Sequence, residues 1–241
     1  NIKIKKIQRI SKYIVIQFEY ELFLIIHLGM SGTLHLTTNE DHFQNTNLSF
    51  YKSKNLPMKH NHIFFEFKNF FLIYNDPRRF GFIKLIYGKN KLSNYFNRLG
   101  PDPFQKHFNL NYVKNYLNKK TKNIKNTLLD QKFISGIGNI YASEILNISK
   151  INPLKSSGKL SHKEINSLIK YTKKILERSI RRGGTTISDF QSIKGMQGSY
   201  QKEFRAYARE NKNCKNNLCS GRIIKLNLSN RSTYFCNICQ K

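Results

Sequence analysis

The stretch CKNNLCSGRIIKLNLSNRSTYFCNIC, Cys214–Cys239, contains every cysteine of the chain. Its spacing is Cys-x4-Cys, sixteen intervening residues, then Cys-x2-Cys. Each close pair suits a tight knuckle that presents two thiolates to one tetrahedral Zn2+, which makes Cys214, Cys219, Cys236 and Cys239 candidate metal ligands. The runs between them, Arg222-Ile-Ile-Lys-Leu226 and Thr233-Tyr-Phe235, predict a two-stranded ribbon. A closed shell of four thiolates leaves no coordination position for chemistry, so the expected cofactor is one structural Zn2+. The first gap is wider than the usual two residues. Redox-active cysteines are the alternative, but they seldom come as two clustered pairs. A disulfide framework would spread along a secreted chain, whereas these four fall within the last 28 of 241 residues.

Upstream of the ribbon the pattern is helical. Ser161-His-Lys-Glu164 is a capping box, followed by Ile165, Leu168, Ile169, Ile175, Leu176 and Ile180 at helical spacing. Gly183-Gly184 ends that helix. Asn109 caps a helix over Leu110–Leu117, and Ile140–Leu146 makes another. Gln191–Tyr200 has four Ser/Gly residues and no periodicity, and reads as a mobile loop. The prolines of Gly100-Pro-Asp-Pro103 mark a boundary. Before them lie short β-branched and aromatic runs: Lys12–Leu28 with a break near Tyr20-Glu21, then Gly32–Leu36, Ile63–Phe67, Phe71–Tyr74 and Gly81–Ile86. Such runs predict an antiparallel sandwich. The class is α+β, with a β-sandwich over 1–104, a helical domain over 105–206 and the ribbon over 207–241.

Lys and Arg number 42 against 14 Asp and Glu, a formal charge of +28. That excess calls for a polyanionic partner, and nucleic acid is favoured. Ribosomal and membrane-surface proteins fit the same number. Codon bias also accounts for some of the lysine, since Asn and Ile are abundant too. No apolar run approaches the ~20 residues of a membrane span, and the basic, alternating start lacks the apolar block of a signal peptide. A cytoplasmic protein without membrane contact is expected.

Three motifs carry chemistry. His27-Leu-Gly-Met-Ser-Gly32 ends an apolar strand in a glycine turn that pushes Met30 outward. Asn75-Asp-Pro-Arg-Arg-Phe-Gly81 presents Arg78 and Phe80 in the same way. Each alone is only a hairpin; together they supply the apolar wedge and the long side chain needed to open a duplex. Phe133–Glu144 runs from a Gly-rich turn into a helix, whose first N–H groups, with Asn139, suit a phosphate. A generic helix start explains that stretch equally well.

In this order, Ser11-Lys12-Tyr13, His27–Gly32, Lys59-His60, Asp76–Gly81, Gly138–Glu144, Gly183–Thr186 and Arg231–Cys236 resemble the bacterial formamidopyrimidine-DNA glycosylases over nearly the whole chain. The resemblance implies a β-sandwich, a helix–two-turn–helix domain and a zinc finger, and a monomer that acts on damaged double-stranded DNA at the nucleoid. It implies excision of oxidised purines, followed by strand cleavage through β,δ-elimination. Lys12 is similar to the lysine that contacts phosphate near the lesion and assists elimination, and Arg231 to the arginine that grips the flanking phosphates. Met30, Arg78 and Phe80 match the inserted residues. His60, Arg78, Lys120 and Asn139 match DNA-contact positions, and Gln191–Tyr200 falls where the family closes a loop over the flipped base. Endonuclease VIII, for oxidised pyrimidines, shares the architecture but differs at the Met/Arg/Phe set.

The resemblance also implies an N-terminal proline amine as nucleophile, with a glutamate acid/base partner. Neither stands at the head of these 241 residues, and Asn1 aligns several tens of residues inside the family's sequence. A fragment of a complete enzyme is the expectation, since the zinc ligands, wedge and Arg231 are intact. A non-catalytic DNA-binding remnant is the alternative. On either view the 241 residues alone are expected to bind DNA without releasing the base.

Overall fold

The computed structural model describes residues 2–38, 58–185 and 198–241. Asn1, Thr186 and residues 191–197 of the expected loop lie outside them. The chain divides into two compact units: 2–96 with the described parts of 182–201, and 97–181 with 202–241.

The first unit is built from two antiparallel sheets. Strands β1 (Ile4–Ile10), β2 (Tyr13–Phe18), β3 (Leu22–His27) and β7 (Phe82–Tyr87) form one in the order β1-β2-β3-β7. β4 (Thr33–Thr38), β5 (Asn61–Glu66) and β6 (Phe70–Asn75) form the other in the order β4-β6-β5. The sequence break at Tyr20-Glu21 is a turn with both residues in the left-handed region, φ +54° each. That twist suits a tight hairpin.

β2 and β3 read as nearly continuous apolar runs because both faces of their sheet are covered. Val15, Phe23, Ile25 and Ile86 pack beneath Leu92, Tyr95 and Phe96 of helix α1 (Lys89–Phe96). Ile16, Leu24 and Ile26 face Leu34 and Phe65 of the second sheet. Helix α1 was not expected from the sequence. It spans two turns, too short for periodicity to stand out, and its Leu92, Tyr95 and Phe96 become a face only when laid on the sheet.

His35 on β4 is 2% exposed, with Nε2 2.6 Å from Thr33 Oγ1. Burial lowers its pKa from 6.5 to about 4. A native state that holds this imidazole neutral is fully stable above pH 6.5 and loses stability as pH falls from 6.5 toward 4. The loss reaches about 3 kcal/mol at about 1.4 kcal/mol per pH unit. Urea unfolding at pH 7.5 and 4.5 should show this. His35→Gln, which keeps a polar atom opposite Thr33, should flatten the dependence; an equal acid loss in that variant would contradict the assignment.

In the second unit, α2 (Leu110–Leu117) starts at the expected cap, where Asn109 Oδ1 accepts from Tyr112 N at 3.0 Å. α3 (Ile124–Leu129), a single turn and a half, is capped by Asn123 in the same manner and left no periodic trace. α4 (Asn139–Ile148) begins one residue before the expected start, with Gly138 as a cap lacking a side chain. α5 (His162–Arg181) carries the capping box: Ser161 N donates to Glu164 Oε2 at 2.7 Å, and Glu164 N to Ser161 Oγ at 3.3 Å. Ile124, Leu128, Phe133, Ile137, Ile145 and Leu168 fill the core. β8 (Ile223–Leu228) and β9 (Arg231–Cys236) form the ribbon.

Gly183 and Gly184, φ +71° and +82°, follow α5. Ser199 pairs with Thr185, and Tyr200 is buried. The end of the stretch expected to be a mobile loop is therefore tied back into the fold. No helix among the described residues is long and apolar enough to cross a membrane.

Candidate DNA interface and metal centre

Two turns of the sandwich unit are locked together by one carboxylate. Asp76 is fully buried. It accepts from Ser31 Oγ, from Tyr74 OH at 3.0 Å and from Gly81 N at 2.8 Å. Ser31 Oγ in turn accepts from Arg78 N at 3.1 Å. Burial raises the Asp76 pKa, but the hydrogen bonds from Ser31, Gly81, Tyr74 and Arg78 outweigh it and hold the carboxyl below its ordinary value. The backbones also touch: a Cβ on Gly29 would stand 2.5 Å from Gly81 N, and one on Gly81 only 2.0 Å from Tyr74 OH.

These constraints point three side chains into solvent. Met30, after Gly29 at φ +64°, is 58% exposed, and Phe80 is 55% exposed. Arg79, at φ +54°, turns the chain so that the Arg78 guanidinium lies 4.5 Å from the Phe80 ring centroid. Leaving two large apolar side chains in water beside a cation is costly for packing and suits insertion into another surface. His60 joins the group through its carbonyl, which accepts from Asp76 N at 3.0 Å.

Lys12 sits exposed in the two-residue turn between β1 and β2, next to Ser11 at φ +55°. It lies close enough to His27 that, after burial, its charge is what lowers the His27 pKa. His27 Nδ1 accepts from Gly29 N at 3.1 Å, leaving Nε2 to carry the ring proton. His27 is thus a further candidate contact, within a motif whose sequence alone assigns it no role.

In the helical unit the hairpin tip of the ribbon, Ser229-Asn230 at φ +50° and +58°, leads into exposed Arg231. The Asn139 amide donates to Ser232 O at 3.0 Å, which fixes Asn139 beside Arg231 at the start of α4. Gly138 caps without a side chain, so the first N–H groups of α4 have no side-chain partner there. Lys125 of α3, 1% exposed, donates to Thr233 Oγ1 at 3.1 Å. Burial and then the Arg231 charge lower its pKa from 10.5 to about 8. One lysine in so lysine-rich a chain carries no mark in the sequence, so Lys125 was not expected. Lys120, in the turn after α2, holds its ammonium 4.8 Å from the Tyr116 ring centroid.

The four cysteine sulfurs lie within 4.8 Å of one another. Cys214 and Cys239 are 3.7 Å apart, and Cys219 and Cys236 3.6 Å. Tetrahedral Zn–S bonds of about 2.3 Å imply S···S near 3.8 Å, so the spacing fits that ion. The donor set fits as well. Asn216 N and Gly221 N point at Cys214 and Cys219 Sγ at 3.4 Å each, and the Asn216 amide at Cys239 Sγ at 3.2 Å. Such donors favour thiolates. The wide first knuckle is absorbed by a turn in which Cys219 N donates to Asn216 O and Leu218, at φ +60°, swings fully into solvent.

Buried polar groups bind this ribbon to the helices. Glu144 of α4, fully buried, accepts from Arg205 N at 2.7 Å, Ala206 N at 2.9 Å and Tyr207 N at 2.7 Å. Gln240 accepts from the Asn147 amide and from Cys236 N, each at 2.8 Å, and donates to Ile151 O at 2.8 Å.

A two-sheet unit whose locked turns expose Met30, Arg78 and Phe80, and a helical unit that carries a four-cysteine ribbon, are the parts of a DNA-binding protein of the helix–two-turn–helix class. Comparison with known proteins makes this specific. Residues 1–83 match the formamidopyrimidine-DNA glycosylase N-terminal domain, and 99–191 the formamidopyrimidine-DNA glycosylase H2TH domain. Formamidopyrimidine-DNA glycosylase of Rickettsia africae is 40% identical over 241 residues, covering 100% of this chain and 82% of the relative. That of a Wolbachia from Brugia malayi is 38% identical over 238 residues, covering 98% and 82%. A structure of MutM with DNA containing carbocyclic 8-oxo-G superposes at a TM-score of 0.85 with 31% identity, covering 100% of this chain and 82% of that one. Lactococcus lactis Fpg with abasic-site DNA gives 0.84 and 31%, covering 100% and 83%. The chain belongs to the formamidopyrimidine-DNA glycosylase family.

Proposed function

We propose that this protein grips damaged duplex DNA, extrudes an oxidised purine such as 8-oxoguanine or a formamidopyrimidine, and serves the glycosylase and lyase chemistry of its family in base-excision repair. Arg231, Asn139 and the open N-terminus of α4 hold backbone phosphates. Lys12 contacts the phosphate beside the lesion and assists elimination. Met30 and Phe80 unstack the duplex while Arg78 fills the gap, and His60 and Lys120 contact flanking backbone. One Zn2+ on Cys214, Cys219, Cys236 and Cys239 holds the ribbon; it supplies structure and no reaction step. The protein acts as a cytoplasmic monomer, with working parts 1–104, 105–206 and 207–241. The observation that carries this reading is the hydrogen bond from the Asn139 amide to the Ser232 carbonyl, which ties the start of α4 to the ribbon strand that begins at Arg231.

Binding to short duplexes containing 8-oxoguanine, thymine glycol or no lesion tests it. With about six phosphates neutralised, log K on plain duplex should fall against log salt at a slope near −5. The 8-oxoguanine duplex should bind tightest. Phe80→Ala and Met30→Ala should each cut that preference roughly tenfold, about 1.4 kcal/mol, while plain-duplex affinity stays nearly unchanged. Equal losses on both duplexes would make the two side chains folding residues only, and a preference for thymine glycol would favour the pyrimidine enzyme. A slope near zero would refute DNA as the partner.

A further inference from the structure

Helix α5 has an outer face for which the functional reading has no use. Its buried residues Ile165, Leu168, Thr172, Ile175 and Ser179 sit on one side, and α5 packs against α4 and α2. Tyr141 OH of α4 and Ser179 Oγ are 2.6 Å apart, which orients that side toward α4. Asn139 and β9 lie on α4 as well. The opposite side of α5 therefore looks away from the helix that carries the phosphate site.

That outer side is a row of cations. Lys163, Lys170, Lys174 and Arg181 are all exposed. They occupy positions i, i+7, i+11 and i+18. At about 100° per residue they fall within about 20° of one line, which runs for about 27 Å along the helix. Arg178 flanks the row but pairs with Glu203, and Arg181 lies 4.0 Å from Glu177 in an exposed contact of little strength. Among the described residues, Lys163, Lys170 and Lys174 have no acidic partner within ion-pair range. Lys170 and Lys174, four residues apart, repel each other in the free protein.

The Lys170 ammonium lies 5.7 Å from the Tyr171 ring centroid, a contact that leaves its charge in place, and a straight row of exposed cations with three lysines outside any ion pair matches a linear polyanion. A membrane surface is a poor fit, because a helix lying in lipid needs its apolar face there, and the apolar face of α5 is committed to the core. We propose that this face binds the backbone of a second segment of double-stranded nucleic acid while the first segment occupies the Asn139–Arg231 site. The inference rests on the functional reading for that first segment. It makes the protein a bridge between two duplex segments, which would let it pass from one to another without full release.

The test uses the full chain and its K163Q/K170Q/K174Q variant, whose changes are all at exposed positions. Each is saturated with a short 8-oxoguanine duplex, and capture of a differently labelled plain duplex is then measured at low salt. The original chain should capture the second duplex, and the variant should do so at least tenfold more weakly. Its capture should also lose about 2.7 from the log-salt slope, at 0.9 per phosphate. Binding of the first duplex should agree within about twofold between the two proteins. No capture by the original chain, or undiminished capture by the variant, overturns the bridge and leaves the functional reading intact. Failure of the original chain to bind the first duplex overturns the functional reading, and the bridge with it. Polyglutamate bound by the α5 row in place of duplex would identify an acidic protein partner and also overturn the proposal.

Discussion

Chelating the Zn2+ proposed for the four cysteines is expected to abolish DNA binding, with affinity for any duplex falling at least 100-fold. The apolar cluster around the cysteines is small: Ala206, Cys214, Ile223 and Cys236, with Cys219, Tyr234 and Cys239 partly buried around them. Four of those seven residues are the cysteines themselves. A structural Zn2+ in such a site contributes about 10–16 kcal/mol, far more than these few apolar contacts supply. Chelation should therefore release the ribbon and take Arg231 and the Ser232 carbonyl away from Asn139, while the α2–α5 helices keep their circular dichroism. Metal analysis should find one zinc per chain, and Cys236→Ser should reproduce the loss. A metal-free protein that stays folded and binds DNA with its usual affinity would show that the four cysteines are not a structural centre.

Glu144→Gln should have the next largest effect. The carboxylate lies in the core with both oxygens facing N–H donors of residues 205–207. Burial raises its pKa, while the three N–H groups and the Arg205 charge oppose the rise. An amide keeps the shape but turns an NH2 toward one or two of those donors. The loss of charge-assisted hydrogen bonds, with buried N–H groups left unpaired, should cost about 3–5 kcal/mol. That strain falls on Arg205–Tyr207, the segment that enters the ribbon, and Tyr207 packs on Tyr234 of β9 with ring centroids 5.1 Å apart. DNA affinity should therefore fall with stability, and the salt slope should flatten by about one unit for the lost Arg231 contact. Unchanged unfolding midpoints with a large loss of binding would instead place Glu144 at the DNA.

Some of this protein was legible in its residues because the chemistry is local. The cysteine spacing predicts the knuckles whatever surrounds them. Asn109 and the Ser161/Glu164 box mark helix starts through bonds made within three residues. Gly29 flags a turn because its φ of +64° is a conformation that favours glycine. Helices α1 and α3 escaped because their stability comes from the surfaces they cover, and a turn or two leaves no period to read.

The sequence by itself determined the fold class, the ribbon with its cluster of four cysteines, the two glycine turns that expose Met30 and Phe80, and the basic character that calls for a polyanion. Only the tertiary structure decided how the functional groups are held. It brought Asp76 between two turns 45 residues apart, set Asn139 against a ribbon strand 93 residues away and buried Lys125 beside Arg231. Those arrangements depend on hydrogen bonds and desolvation between distant segments, and such terms exist only once the chain has closed on itself.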